Sequence, residues 1–428
     1  MNSTQYYDEK TKTMNLSGVI PKNTGEFKLT IPSDCESLHL DNNGLKELSS
    51  NLPKGLKVLT ASGNKLEKLP KLPNTLTHLT VSNNKIKFLD NIPENCVFVD
   101  ARYNEIESFD LENSKITILK LNYNRLKSLE NCKFPKTVDF LELSNNLIEE
   151  LKDIPDYVKV LDLSNNYISK ITKMPADVVK LILLNNKLEN FDNVTFSDKL
   201  IDLELEYNFL EKIPNNLPKS LTGLFIDNNK ISVIEKCPSN LETLSCDSNQ
   251  VHTIVDLPST LVELHISNNQ LTNLKNIPDT VEDLHVKNNF LKVLKVIPRE
   301  CVSLDARNNF IQTVKVTKCF KNIRDIQLLG NNINEVDQLI YKLNKLDAMT
   351  DLINEDDSQS ESEIDFENMS NDDMSNEDMS NEDNISIEEI NEENSVMTNM
   401  MEGEEEITPE QILQLGNVNT QNSNKNAL

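Results

Sequence analysis

The sequence predicts a solenoid of about fifteen short stacked turns with a parallel sheet on its concave side. Three observations predict it. Fifteen asparagines, from Asn43 to Asn331, recur every 20 to 22 residues. Each lies in the frame LxxLxLxxNxL, as at Leu261, Leu264, Ile266, Asn269 and Leu271. Finally, the apolar 37% of this 428-residue chain, with no Trp and only 9 Gly, is almost entirely taken up by that frame. A self-similar period this short marks units that cannot bury their apolar face alone and must stack on their neighbours.

Each part of a unit has a physical reason. Counting from the first Leu puts the asparagine at position 9. Positions 4 and 6, Leu264 and Ile266 in the example, alternate with polar residues, which predicts a short strand with one buried face. Positions 3, 5 and 7 then point to the concave surface. After the strand the chain must turn, and a buried turn strands backbone N–H and C=O groups. An Asn amide carries donors and an acceptor that can satisfy them, so the ladder is expected to be architectural and to hold no ligand. Apolar-Pro pairs precede the next unit at Leu72-Pro73, Ile92-Pro93, Ile154-Pro155, Met174-Pro175, Leu257-Pro258, Ile277-Pro278 and Ile297-Pro298. Proline forces the preceding residue toward extended backbone, and the remaining length is too short for a helix of several turns. The convex side is therefore expected to be extended or polyproline-like.

With its LPxxLxxL punctuation this frame resembles the leucine-rich repeat, over roughly residues 35–344. It is most similar to the short units of bacterial effector proteins and of giant DNA viruses that infect amoebae, and the Asn-, Ile- and Lys-heavy spelling suits the viral group. The resemblance implies a leucine-rich repeat solenoid. The ubiquitin-ligase domain often appended in the bacterial effectors does not carry over, because no Cys follows Cys319. A GTPase-activating role, which goes with longer helix-containing units, does not carry over either.

The flanks differ from the repeats. Residues 1–34 are expected to cap the first turn, with Phe27, Leu29 and Ile31 alternating like a strand. Residues 334–353 are expected to form a capping helix behind Asn334 as N-cap, because Val336, Leu339, Ile340, Leu343, Leu346, Met349 and Ile353 recur every three to four residues. Residues 351–428 hold 23 acidic residues against one basic residue, Lys425, so 22 of the chain's 26 net negative charges sit there. With near-exact pentads at 369–383, residues 354–428 are expected to be a disordered acidic tail. Within it Thr408, Pro409 and Gln411 spell a helix start ahead of Ile412, Leu413 and Leu415, a candidate docking motif. Ser358, Ser370, Ser375 and Ser380 each have an acid three residues on, a pattern that acidophilic kinases accept.

Candidate functional residues lie on the concave columns. At position 3, Val58, His78, Phe98, Ile118, Phe140 and Val160 make an apolar stripe, which Ile182 and Leu184 extend on neighbouring columns. At about 4.8 Å per strand it would run roughly 24 Å, and such a strip on a polar surface marks a protein partner's site. Farther on, position 3 turns acidic. His265 and His285 are adjacent at position 5, beside Glu263 and Asp283. Two imidazoles one strand apart could take a metal or sense acid pH, but without a third ligand they are expected to be solvated, with no metal. Charges of both signs mix at positions 5 and 7, so no Lys/Arg stripe neutralises phosphates and no direct nucleic-acid binding is expected.

The sequence contains no P-loop, GxGxxG, HExxH or nucleophile elbow. Six of the 7 Cys occupy apolar positions of the frame, as expected for reduced core thiols in an intracellular, cytoplasmic protein, in the host cell if viral. Neither an apolar run of membrane-spanning length nor a secretory signal is read. The expectation is a monomeric, non-enzymatic scaffold that binds a protein partner on its concave face, without cofactor and away from membranes. The alternatives are an adaptor that recruits substrates to a host ubiquitin ligase or kinase, or an acidic-tail binder of basic proteins such as histones.

Overall fold

The computed structural model describes residues 3–20, 30–314 and 323–336. Its backbone is one long parallel sheet with a core behind it. Tyr7–Asp8 and Thr13–Asn15 form an antiparallel hairpin, and Thr13–Asn15 then pairs in parallel with Ser37–His39. From there each turn adds one three-residue strand, Val58–Thr60, His78–Thr80, Phe98–Asp100 and so on to Asp325–Gln327. Neighbouring strands pair in the same register throughout, Leu38 with Leu59, Leu59 with Leu79, Leu181 with Leu203, Leu264 with Leu284. The side chains at positions 4 and 6 are fully or almost fully buried in every full turn up to Cys301–Ile311.

The asparagine ladder does the backbone accounting that the turn requires. Asn186 Nδ2 donates to the carbonyls of Leu163 at 3.0 Å, Leu183 at 3.1 Å and Leu184 at 3.2 Å, and its Oδ1 accepts from Ile168 N at 2.9 Å. One buried amide thus ties its own turn to the preceding one, and the pattern repeats at Asn124, Asn229 and Asn289. Position 8, just before it, takes the left-handed conformation in all fifteen units, for example Asn165 at φ 53°, Asn268 at 54° and Gly63 at 65°. Asn and Gly tolerate that region better than other residues, which explains the recurrent Asn-Asn and Gly-Asn pairs. Among the exceptions are Tyr103, Tyr123 and Tyr207.

The rear of each turn is extended, as expected from its prolines. Two-residue strands pair there locally, such as Phe88–Leu89 with Ser108–Phe109 and Val293–Leu294 with Thr313–Val314. Among the described residues the one helical element is the 3-10 turn Ser3–Tyr6, and no helix is long and apolar enough to cross a membrane.

The ends correct two expectations. The described N-terminal cap is the hairpin, whose second strand opens a partial turn in which Met14 and Leu16 are fully buried and Gly18 takes the left-handed position at φ 68°. Ile20 N donates to Asn43 Oδ1 at 2.8 Å, so this turn docks as a regular unit would. Phe27 and Leu29 lie outside the described residues, and Ile31 packs against the core without being in a strand. At the other end Glu335–Val336, expected as the start of a helix, is a strand paired with Thr313–Val314. Asn334 N donates to Gln312 O at 2.9 Å, so the rear ladder continues where an N-cap was expected. The rest of the expected helix and the acidic tail, with Ile412, Leu413 and Leu415, lie outside the described residues.

Candidate partner-binding face

The face of the sheet opposite the core carries positions 3, 5 and 7. Its first half holds the apolar stripe. Val58, His78, Phe98, Ile118, Phe140 and Val160 occupy six consecutive strands as direct register partners. The alternation that buries positions 4 and 6 turns these side chains outward, where they are partly or fully exposed. His78 and Phe98 stack with ring centroids 5.9 Å apart, and Lys120 Nζ lies 5.9 Å from the Phe140 ring centroid. Ile182 and Leu184 lie on the neighbouring columns and not in this row. Val160 pairs with Lys180, while Ile182 sits beside Asp162 one column over.

The second half is acidic. Asp202, Glu204, Glu206, Asp227 and Asp247 project from successive strands and the turns that follow them. Burial is the largest influence on Asp202, Asp227 and Asp247, and it raises each carboxyl above the usual range. Glu206 is pushed up to about 8 by burial, with Glu204 and Asp227 adding repulsion, and its Oε2 has no hydrogen-bond partner. Several cations of the face are engaged beside acids, Arg102 with Asp100 at 2.9 Å, Lys180 with Glu204 at 2.7 Å and Arg307 with Asp305 at 2.7 Å. Such paired cations do not make the continuous basic track that a phosphate backbone needs.

His265 and His285 are register partners, stacked 4.4 Å apart at 8°. The expectation of two solvated imidazoles without a third ligand needs correction, because both are half-buried and Asp283 Oδ1 stands 3.2 Å from His285 Nε2. Among the described residues, burial holds the thiols toward their neutral form. Burial pushes Cys96, Cys237 and Cys301 up to about 12 and Cys132 up to about 11, and Cys319 lies outside the described residues.

Sequence reasoning missed a row of aromatics along one rim, at positions 8 and 10. Tyr103 and Tyr207 are 48% and 50% exposed, and Phe290 and Phe310 are similarly open and stack at 5.9 Å. Tyr103 and Tyr123 stack at 4.2 Å and 9°. The available signal was Tyr at position 8, where the backbone favours Asn or Gly.

Solved structures share this architecture. The leucine-rich effector protein YopM from Yersinia pestis matches with 29% identity and a TM-score of 0.55, over 69% of this chain and 89% of that one. The fold is a leucine-rich repeat solenoid. A leucine-rich repeat protein of Leptospira interrogans matches at 22% identity and TM-score 0.53, over 73% of this chain and 94% of its own. One from Bacteroides thetaiotaomicron matches at 15% and 0.53, over 72% and 51%. No protein-family model and no curated protein matches the chain in sequence.

Proposed function

We propose that the chain is a non-enzymatic scaffold that binds one protein partner across positions 3, 5 and 7, which we take as the concave face of the solenoid. The observation that carries this reading is the in-register row from Val58 to Val160, outward-facing on a sheet whose neighbouring columns are mostly polar. Aromatic and aliphatic anchors at the centre of a patch dominate association energy, whereas scattered exposed residues do not. Beyond the row, the carboxyls of Asp202, Glu206, Asp227 and Asp247 sit where burial disfavours their charge. Basic side chains on a partner would relieve that cost. The partner is thus a protein with an apolar ridge followed by Lys or Arg, and it requires neither cofactor nor nucleic acid.

The test compares the wild-type chain with a Phe98→Asp, Phe140→Asp double variant by affinity capture and mass spectrometry. The expected result is an unchanged far-ultraviolet circular dichroism spectrum and loss of the captured partner. Retention of every partner by the variant removes the row from the binding site.

A second reading rests on the segregation of 22 net negative charges into residues 351–428. There the tail, with Ile412, Leu413 and Leu415 as a docking motif, holds a basic protein or a host ligase or kinase while the solenoid holds a substrate. Capture with a chain ending at Ile353 separates the two, since partners of the tail disappear on truncation and those of the sheet persist. Both readings place a monomer inside the cell, in the cytoplasm. The LPxxLxxL spelling supports the short-repeat subtype of bacterial effectors and amoeba-infecting giant viruses as its source, and YopM is described as an effector.

A further inference from the structure

His265, Asp283 and His285 come together through one turn of the repeat. Asp283 and His285 are positions 3 and 5 of a single strand, so they share its open face. His265 is the direct register partner of His285 on the preceding strand. One ligand atom from each of the three lies within 4.8 Å of the other two, and the closest pair, Asp283 Oδ1 and His285 Nε2, is 3.2 Å apart. Ligand atoms at about 2.1 Å from a tetrahedral ion stand roughly 3.4 Å from one another, so metal binding requires the set to contract and the two stacked rings to turn toward a common point.

A second observation points to a ligand. His265 Nε2 is a buried atom without a hydrogen-bond partner, and Asp283 Oδ1, also buried, makes no well-formed hydrogen bond and has the His285 ring nitrogen beside it at 3.2 Å. Buried polar atoms are almost always satisfied, and these two belong to the same cluster. Carboxyls also face the cluster, because Asp247 couples electrostatically to both imidazoles and Asp227 to His265.

We propose that His265, Asp283 and His285 form a binding site for a divalent transition-metal ion of the Zn2+ type. Two imidazoles and one carboxylate suit Zn2+, Ni2+ or Co2+, whereas Ca2+ and Mg2+ require oxygen ligands in larger number. Three protein ligands leave the fourth position open. Because all three side chains sit on the open face, that position is reached by water or by a donor atom of a bound molecule. The site stands whether or not the apolar row binds a protein.

The test is equilibrium dialysis and calorimetric titration of untagged full chain with Zn2+, in excess Mg2+ to occupy the carboxylates of residues 351–428. His265→Gln, Asp283→Asn and His285→Gln are measured beside it, with His252→Gln as control. The expected result is one Zn2+ per chain in the wild type and in the control, and at least ~10-fold weaker binding in each of the three variants, since loss of even an outer partner costs ~10–100-fold. Circular dichroism checks that each variant is folded, and titration of the wild type with Co2+ gives the d–d absorption of a nitrogen- and oxygen-ligated ion. Absence of one-to-one Zn2+ binding, equal binding by the three folded variants, or thiolate charge-transfer absorption with Co2+ would each overturn the proposal.

Discussion

The two halves of the open face are built on the same sheet in the same register, yet they present opposite chemistry. From Val58 to Val160 position 3 is apolar or aromatic, and from Asp202 onward the face gathers Glu204, Glu206, Asp227, Asp247 and the His265–Asp283–His285 cluster. Behind both halves, positions 4, 6 and 9 hardly change: Leu161 and Leu264 are fully buried, and Asn166 and Asn269 make the same amide bonds. The difference teaches that the repeat separates two kinds of residue. Those that point in are fixed by packing and hydrogen bonding, and those that point out are free to vary.

The most severe way to break the comparison is to remove a residue both halves depend on. Asn186, between the apolar row and the acidic half, satisfies three carbonyls and one N–H. Replacing it with Ala leaves several buried groups unpaired at roughly 1–3 kcal/mol each. Asn186→Ala is expected to lower unfolding stability by about 3 kcal/mol or more, read as a fall in the urea midpoint. A loss below ~1 kcal/mol would show that the ladder is not the principal tie between turns.

Substitutions in the outward columns should behave in the opposite way. Phe98→Asp with Phe140→Asp is expected to change stability by less than ~1 kcal/mol and to cost ~2 kcal/mol or more in partner affinity, as for anchors at an interface centre. The comparison sharpens further with salt. Weakening of partner binding by salt should decrease when Asp227→Asn and Asp247→Asn are introduced, because screening acts on charge pairs and not on apolar contacts. If both sets of variants respond alike to salt, the two halves do not bind by different physics.

How much was legible follows from the same division. The inward residues were readable because each repeats under one constraint: Leu264 must be apolar to be buried, and Asn269 must bridge turns. Met14 and Leu16 escaped notice because their turn has Val19 where the asparagine would stand. Val336 was read as helical because its apolar neighbours recur every three to four residues, while the next bonds of the rear ladder, Asn334 N to Gln312 O, depend on stacking that spacing does not reveal. Asp283 was read as a neighbour of the two histidines but was not counted as a third ligand, although residues two apart on a strand share a face. The apolar row was readable as a column that ends at Val160, because Lys180 follows it in register and Ile182 lies one column over, beside Asp162.

A pH titration separates the halves more gently. In the folded state Glu206 is raised from 4.5 to about 8, mainly by burial. A carboxyl raised on folding holds its proton more tightly in the folded chain. Its stabilising contribution is therefore present below about 4.5 and lost as pH rises through about 8. Glu206→Gln, which cannot ionise, is expected to gain ~1–2 kcal/mol over the wild type at pH 8.5 and almost nothing at pH 4.5, a discounted figure because the site is partly solvated. Urea unfolding at the two pH values measures it, and no comparable dependence is expected for Val160→Thr in the apolar half.

The smallest effect concerns the rim, where the division between inward and outward residues fails. Position 8 is architectural in its backbone, left-handed in every unit, and outward in its side chain. At Tyr207, φ is 53° and the ring is 50% exposed, so the fold bears a conformational cost there that Asn would lower. Tyr207→Asn is expected to stabilise the chain by ~0.5–1 kcal/mol, seen as a modest rise in Tm. Such a gain would mark the ring as a candidate contact for a molecule outside the chain. If Tyr207→Asn instead destabilises, the ring packs productively on its own solenoid and the rim carries no such signal.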